Sequence, residues 1–393
     1  MSVYTLLHDA EASAYTSANP EPFRILSKHL LFPNFDEHEW WHKSGPMLAR
    51  MLSAANYDVH QQYKYLLLYA LHVVPMIGPF PCPDRPQLYR SPFTGIGALE
   101  LSNNFTRSKT TVRMGMEPIS YQATTGPDFF NRVKSGEMLS RLKQAGVNVD
   151  LTLYHQLIHR LTLSDEEVGA FLNGNDTMKL PFKSQTVVAL DFGEKDAVVK
   201  LYLLPMLKSQ ATGVPCSELI FSAVKSVDTD GLFQDSLAVL EDYCVKLPPS
   251  ASVYWTCFDL LNPKASRFKV YLLDTQVDFQ RVTDLWMLGG RLTSPEDAKG
   301  LELLRELWEA LNISGVVRQS AADPGQPDKT RESMYLSANY ELQPSRSLQQ
   351  PKIYLRLARM NDMSIAKAIS SFIEKHVNAE QGRTYIDNIT SFV

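Results

Sequence analysis

Neither a CxxC pair, nor a run of Lys and Arg, nor an apolar stretch of about 18 residues occurs in this sequence, and each absence removes a class of protein. Four cysteines, Cys82, Cys216, Cys244 and Cys257, are spread through 393 residues. That spacing suggests neither a zinc site nor a disulfide framework, so the expectation is reduced thiols in an intracellular chain. With 39 Lys and Arg against 43 Asp and Glu, the net charge is −4, which argues against nucleic acid as a partner. Without a spanning run, and with a start (Met1 to Asp9) too polar for a signal peptide, no membrane partner is expected and the location should be cytoplasmic. Nucleotide motifs are missing too. There is no Walker A sequence, and in Gly95-Ile-Gly97 the third glycine of a dinucleotide fingerprint is replaced by Glu100, with no βαβ unit around it. His155 and His159 are four apart but enclose no Glu, so the zincin base is lacking. Asp228-Thr-Asp230-Gly231 places its glycine too early for an EF-hand and reads as a capped helix start. No DDxxD run exists either, since Asp165 to Glu167 opens a helix in a capping box with Ser164.

What is present is one kind of strand, four times. Thr111 to Met116, Val198 to Leu203, Arg267 to Leu272 and Lys352 to Leu357 each alternate polar with apolar residues. Residues two apart share a side of a strand, so one face collects Arg113, Lys200, Tyr202, Arg267, Lys269, Tyr271, Lys352 and Tyr354 while the other is Val, Met, Phe, Ile or Leu. The four are separated by roughly 70 to 90 residues, as a repeated supersecondary unit would place them. A closed sheet would aim these cations and phenols at a common axis, a place for a polyanion beside a carbocation. The alternative is an antiparallel sheet with one solvated face, where Lys and Tyr are ordinary.

The organisation along the chain supports the repeat. Helices are expected at Gly45 to Ala54 and Tyr57 to Val74, the latter apolar on much of its circumference and therefore buried. A Pro-rich link follows from Pro75 to Pro86. Strands at Leu99 to Phe105 and Thr111 to Pro118 precede helical patterns at Asp128 to Gly146, Thr152 to Leu161 and Ser164 to Leu172. A hairpin, Thr186 to Phe192 and Ala197 to Leu204, leads to helices at Ser217 to Val227 and Leu232 to Val245. The series recurs with strands at Val253 to Asp259 and Arg267 to Leu273, then helices at Val277 to Met287 and Pro295 to Leu311, the latter capped by Ser294. Ser320 to Lys329 has a loop composition. Strands at Met334 to Leu342 and Lys352 to Leu357 and a helix at Ser364 to His376 follow. Repeated α-α-β-β units imply an α+β fold, with a ring of helices outside a barrel of antiparallel strands whose polar faces line the lumen. No linker divides the chain, so one domain over residues 1–393 is expected.

Glu100 lies on the strand next to the one that carries Arg113. A carboxylate on an inward strand face is costly unless it is paired or meets a polar ligand. It is either an acceptor for an N–H of a heteroaromatic substrate or a salt-bridge partner of a lumen cation. Arg113, Lys200, Arg267 and Lys269 can bind a diphosphate, Arg as a planar fork and Lys as a point charge. Tyr202, Tyr271 and Tyr354 can offer ring faces to a cation and hydroxyls to phosphate oxygens. In the absence of an aspartate cluster, protein cations would take the place of Mg²⁺.

These residues together resemble the aromatic (indole) prenyltransferases of the dimethylallyltryptophan synthase family, from about Leu31 to the C-terminal region. The likeness is densest at Glu100-Leu-Ser, Val112-Arg113 through Glu117-Pro118, Lys200-Leu-Tyr202 with Pro205, Arg267-Phe-Lys269-Val-Tyr271 and Pro351-Lys-Ile-Tyr354. It implies the ABBA prenyltransferase barrel and transfer of a dimethylallyl group from its diphosphate to an indole, commonly tryptophan or a tryptophan-containing cyclic dipeptide, with no cofactor and no metal. Carried over, Glu100 accepts the indole N–H as the catalytic carboxylate. Arg113, Lys200, Tyr202, Arg267, Lys269, Tyr271, Lys352 and Tyr354 bind the diphosphate, and Tyr202, Tyr271 and Tyr354 shield the allylic cation. The implied partners are dimethylallyl diphosphate and an aromatic acceptor, and a homodimer is compatible with the resemblance. Three departures bear on this. Val187 stands where some tryptophan-specific members have a lysine that serves as base, which implies a different regiochemistry or substrate. Lys352 stands where glutamine is frequent. The family pattern continues through a further hairpin with another lumen tyrosine, whereas this sequence ends soon after Tyr385, so a C-terminal strand pair is expected to be missing. A non-indole acceptor such as a phenol, or an inactive anion-binding relative, are the alternative readings.

Overall fold

The computed structural model describes residues 18–82, 89, 91–93, 97–126, 128–174, 180, 183–322, 334–344, 351–358 and 360–392. Pro83 and Pro86 of the Pro-rich link, the Gly95 turn and most of the 320–329 loop lie outside them. The chain divides into two compact units. One comprises Met1–Tyr154, Thr162–Leu203 and Asp387–Val393, the other His155–Leu161 and Leu204–Ile386.

The first unit opens with α1 (Glu21–His29), α2 (Phe35–Ala54) and α3 (Val59–Leu68). Helix α2 begins ten residues before the expected Gly45, because Asn34 caps it by accepting from the Glu37 amide at 2.9 Å. Its interior Pro46 is tolerated where Trp40, Trp41, Leu48 and Leu52 are fully buried, since burying such side chains outweighs one missing backbone donor. Asp58 and Gln61 form a capping box on α3. The helix relaxes into a π turn at Tyr69–Val73 and a 3-10 turn at Val74–Met76, where a single long helix was expected. Strands β1 (Leu99–Phe105), β2 (Thr110–Met116), β3 (Thr186–Phe192) and β4 (Ala197–Leu203) pair antiparallel in that order. Between β2 and β3 in the chain come α4 (Tyr121–Thr125), α5 (Lys134–Gln144), α6 (Thr152–Leu161), whose residues from His155 on are counted with the second unit, and α7 (Asp165–Gly174). Residues 128–130 are a turn and not the start of α5, since the Asp128 carboxylate accepts from the Arg132 amide at 2.9 Å. The capping box of Ser164 and Glu167 opens α7 as expected.

Helix α3 anchors the β3–β4 turn. Tyr65 donates its hydroxyl to the Gly193 carbonyl, Gln61 donates to the Glu194 carbonyl at 2.7 Å, and Lys64 pairs with Asp196 at 2.8 Å. One face of the strands, with Val112, Met114, Val188, Leu190, Val199 and Leu201, is fully buried. The register of the unit therefore resists slippage, because a one-residue shift would exchange that apolar set for the charged one.

At the end of β2, Glu117 is wholly buried and accepts from the Tyr89 hydroxyl at 2.7 Å. Burial pushes its acid up to about 7, against the opposing pull of Ser184, Tyr89, Ser91 and Asn131. A carboxyl raised in the folded state keeps its proton while the unfolded chain has lost it, so folding stability falls with pH across that window. The unfolding free energy should therefore decline between pH 4.5 and about 7, by on the order of 3 kcal/mol from this group, and level off above. Urea titrations at stepped pH should show a flatter profile for Glu117→Gln; an unchanged slope would assign the effect to other groups.

The second unit starts with α8 (Met206–Thr212), α9 (Cys216–Val227) and α10 (Gln234–Val245). Asp228, in the stretch read as a capped start, accepts from the amides of Leu232 and Phe233 at 2.6 and 2.9 Å. Strands β5 (Ala251–Asp259) and β6 (Phe268–Asp274) are followed by α11 (Phe279–Trp286), α12 (Pro295–Ala310) and α13 (Ile313–Ala322), then by β7 (Leu336–Leu342) and β8 (Lys352–Leu355). These strands also pair antiparallel in chain order. Asp278 caps α11, and Ser294 with Asp297 forms the capping box of α12 with Pro295 in the first turn. Helices α14 (Asp362–His376) and α15 (Ala379–Phe392) close the chain. The short α8 and the helices α13 and α15 were not expected from the pattern. Phe258, Phe268, Val270, Leu272, Ala338, Tyr340 and Leu342 are buried on one face, on which α9, α10 and α11 pack. Buried Asp274 is held there by Arg281 at 2.7 Å, and Tyr340 donates to the Leu285 carbonyl at 2.7 Å.

Both units combine antiparallel strands with helices on the apolar face, the α+β class expected. All four cysteines are free thiols. Among the described residues no helix is long and apolar enough to cross a membrane, and no group of three His, Cys, Asp or Glu side chains is arranged to hold a metal.

Candidate active site

In the first unit the register sets rows of side chains on the polar strand face. Glu100 stands opposite Gly115, Gly115 opposite Ala189 and Ala189 opposite Lys200. The next row runs Ser102, Arg113, Asp191 and Val198, and on the other side Val187 faces Tyr202. Directly opposed residues share a face, so Glu100, Arg113, Lys200 and Tyr202 project from one side, as the period of two predicts. Lys200 is only 5% exposed, which a solvated face would not impose on a lysine. Its ammonium is paired with the Asp191 carboxylate, and Arg113 Nε lies 3.4 Å from the same oxygen.

Glu100 differs from these. Water reaches its side chain, yet the surrounding protein is close enough that desolvation pushes the carboxyl above its ordinary value. Among the described residues it has no ion pair and no hydrogen bond, so the salt-bridge alternative is not what they form. Across from it, Gly115 leaves room beside the Phe93 ring; a Cβ there would meet Phe93 at 3.4 Å and the Glu100 Cβ at 3.9 Å. A carboxylate that is open to water, flanked by protein and unpartnered among the described residues can accept a hydrogen bond from a ligand.

The second unit repeats the arrangement. Cys257, Lys269 and Glu341 lie in one row, Trp255, Tyr271, Asn339 and Lys352 in the next, and Leu273, Ser337 and Tyr354 in the third. Lys269 is 6% exposed. Arg267, just before β6, is bonded through Nε to Asp259 at 2.7 Å and lies 3.4 Å from Glu341, while Lys269 lies 3.6 Å from Glu341. Burial raises the Glu341 acid, but the Gln343 hydrogen bond and the charges of Arg267, Lys269 and Lys352 outweigh it and leave the carboxyl below its ordinary range. Lys352 itself is exposed. The rings of Trp255 and Tyr271 have centroids 5.5 Å apart, those of Tyr271 and Tyr354 6.1 Å apart, and Tyr354 accepts from Asn339 at 2.7 Å.

Every candidate side chain thus falls on the polar face of its own unit, and Arg113, Lys200, Arg267 and Lys269 are paired with carboxylates that sequence reasoning passed over. Asp191, Asp259 and Glu341 have the right strand parity, but nothing in the sequence pairs them with a particular cation. Trp255 was missed for a different reason. A bulge between Val253 and Trp255 inserts one residue, so Val253 faces the helices while Trp255 joins the aromatic row.

Strand faces with buried ammoniums and partly exposed guanidiniums beside phenols suit an anionic leaving group and a developing carbocation, the chemistry of a prenyl transfer. Comparison with known proteins agrees. Residues 36–388 match the tryptophan dimethylallyltransferase family. Prenyltransferase nanD of Aspergillus nanangensis is 38% identical, over 94% of this chain and 87% of its own. Roquefortine prenyltransferase roqD of Penicillium rubens is 34% identical, over 95% of this chain and 88% of its own. The crystal structure of AnaPT from Neosartorya fischeri superposes with a TM-score of 0.83 at 29% identity, covering 94% of this chain and 89% of that one. NotF, solved in complex with brevianamide F and DMSPP, gives a TM-score of 0.81 at 28% identity, covering 95% and 90%. The chain belongs to the tryptophan dimethylallyltransferase family and has the fold of its solved members. It is an aromatic prenyltransferase of indole secondary metabolism, an enzyme that uses dimethylallyl diphosphate.

Proposed function

We propose that this enzyme transfers the dimethylallyl group, without a metal, to a tryptophan-containing cyclic dipeptide or a related indole alkaloid. The observation that carries the acceptor role is Glu100, open to water, partly desolvated by the protein beside it and unpartnered among the described residues, which suits it to accept the indole N–H and raise electron density in the ring. Arg113, Lys200, Arg267, Lys269 and Lys352, with Tyr202, Tyr271 and Tyr354, are the proposed ligands of the diphosphate. As the C–O bond ionises, those cations take up the charge left on diphosphate while the tyrosine rings face the allylic cation. The indole carbon or nitrogen then attacks, and loss of a proton completes the transfer.

Val187, which faces Tyr202, supports an acceptor other than free tryptophan, because the lysine expected of tryptophan-specific members is not there. Incubation with dimethylallyl diphosphate and a panel of tryptophan, cyclic dipeptides and phenols, read by mass spectrometry, tests the preference; product from tryptophan alone would refute it. In the same assay EDTA should leave most of the turnover intact, because protein cations supply the charge that Mg²⁺ would otherwise provide. Loss of activity on chelation, restored by Mg²⁺, would overturn the metal-independent mechanism.

A further inference from the structure

The ion pairs of the second unit are not alike. Arg267 is bonded at 2.7 Å to Asp259, which is 1% exposed, whereas Glu341 stands 3.4 Å from Arg267 and 3.6 Å from Lys269. The first contact has the length of a charge-assisted hydrogen bond and the other two do not. Glu341 is shared between Arg267 and Lys269 at these longer distances, and it accepts a hydrogen bond from Gln343 at 2.5 Å on its own segment. It also lies directly across from Lys269, an ammonium only 6% exposed. Burying such a side chain without a neighbouring anion would be costly to the unit.

We propose that Glu341 is an internal counter-anion, which neutralises and orients Lys269 and Arg267 while the donor is absent and gives them up to the diphosphate when it binds, whereas Asp259 is a fixed support for Arg267 that is not displaced. This deepens the proposed function and rests on its assignment of Lys269 and Arg267 to the diphosphate. Glu341 is a positioning residue that acts through the cations. Its negative charge opposes that of the incoming diphosphate, so it lowers the affinity for both the prenyl donor and the inorganic diphosphate released. An enzyme that must release a polyanion on every turnover benefits from such a competitor at the cations.

The test is calorimetric titration of the full chain with inorganic diphosphate. Glu341→Gln should bind it at least about 10-fold more tightly than the wild type, from the removal of one like charge a few ångströms away, and its inhibition by inorganic diphosphate should strengthen by the same factor. Asp259→Asn should bind no more tightly than the wild type, because it releases the Arg267 fork. A merely structural Glu341 would lower the melting temperature and leave the affinity unchanged or weaker, and that result would overturn the inference. The underlying assignment is checked apart from this: Lys269→Gln should lose affinity, and binding that it leaves unchanged would overturn both readings, whereas loss in Lys269→Gln without tightening in Glu341→Gln would overturn only the counter-anion. Should Glu341→Gln fail to fold alone, inorganic diphosphate should restore folding by supplying the missing anion; no restoration would count against the proposal.

Discussion

Glu100→Gln is expected to lower turnover by at least about 100-fold, the scale of a positioned charged hydrogen bond in catalysis, while dimethylallyl diphosphate binds almost as before. The substitution keeps the shape of the side chain and removes only the anion. Because this carboxyl has no partner among the described residues, its loss strands no buried cation, and stability should hardly change. A pH profile adds an independent check. Desolvation raises the Glu100 acid above its ordinary value of 4.5, so the ionised acceptor is lost as pH falls through that raised value, and the acid limb of kcat/KM should lie above pH 4.5 in the wild type. The limb should be missing from the variant. Near-wild-type turnover in Glu100→Gln would make the residue a bystander.

Lys269→Gln should reduce kcat/KM for the prenyl donor by roughly 100-fold, from the loss of a charge-assisted hydrogen bond that strengthens as the leaving group gains charge. The fold should survive the change, since Glu341 retains Arg267 at 3.4 Å and the Gln343 hydrogen bond. Steady-state kinetics with the acceptor saturating would measure it. An unchanged kcat/KM with a lower melting temperature would instead make Lys269 a structural member of the ion network.

Much of this was legible beforehand because strands and capped helices are local. The alternation in Val198 to Leu203 and Phe268 to Asp274 places Lys200, Tyr202, Lys269 and Tyr271 on one side whatever the neighbours are, and helix starts such as Ser164 and Ser294 carry their own hydrogen-bond partners three residues on. Element limits were less legible where long-range packing decides them. Burial of Trp40 and Trp41 carries α2 through Pro46, and the helix after Val59 breaks into π and 3-10 turns.

The sequence by itself determined the strand parity and the candidate cations, phenols and carboxylate at Glu100 that lie on it, which follow from residue type and a spacing of two, while its motifs carried the family resemblance. Only the tertiary structure decided who meets whom. Register across strands set Asp191 beside Lys200 and Glu341 across from Lys269, a bulge moved Trp255 into the aromatic row, and enclosure raised the Glu100 acid while leaving it without a partner among the described residues. Those depend on which strands pair and in what register, which no local pattern contains.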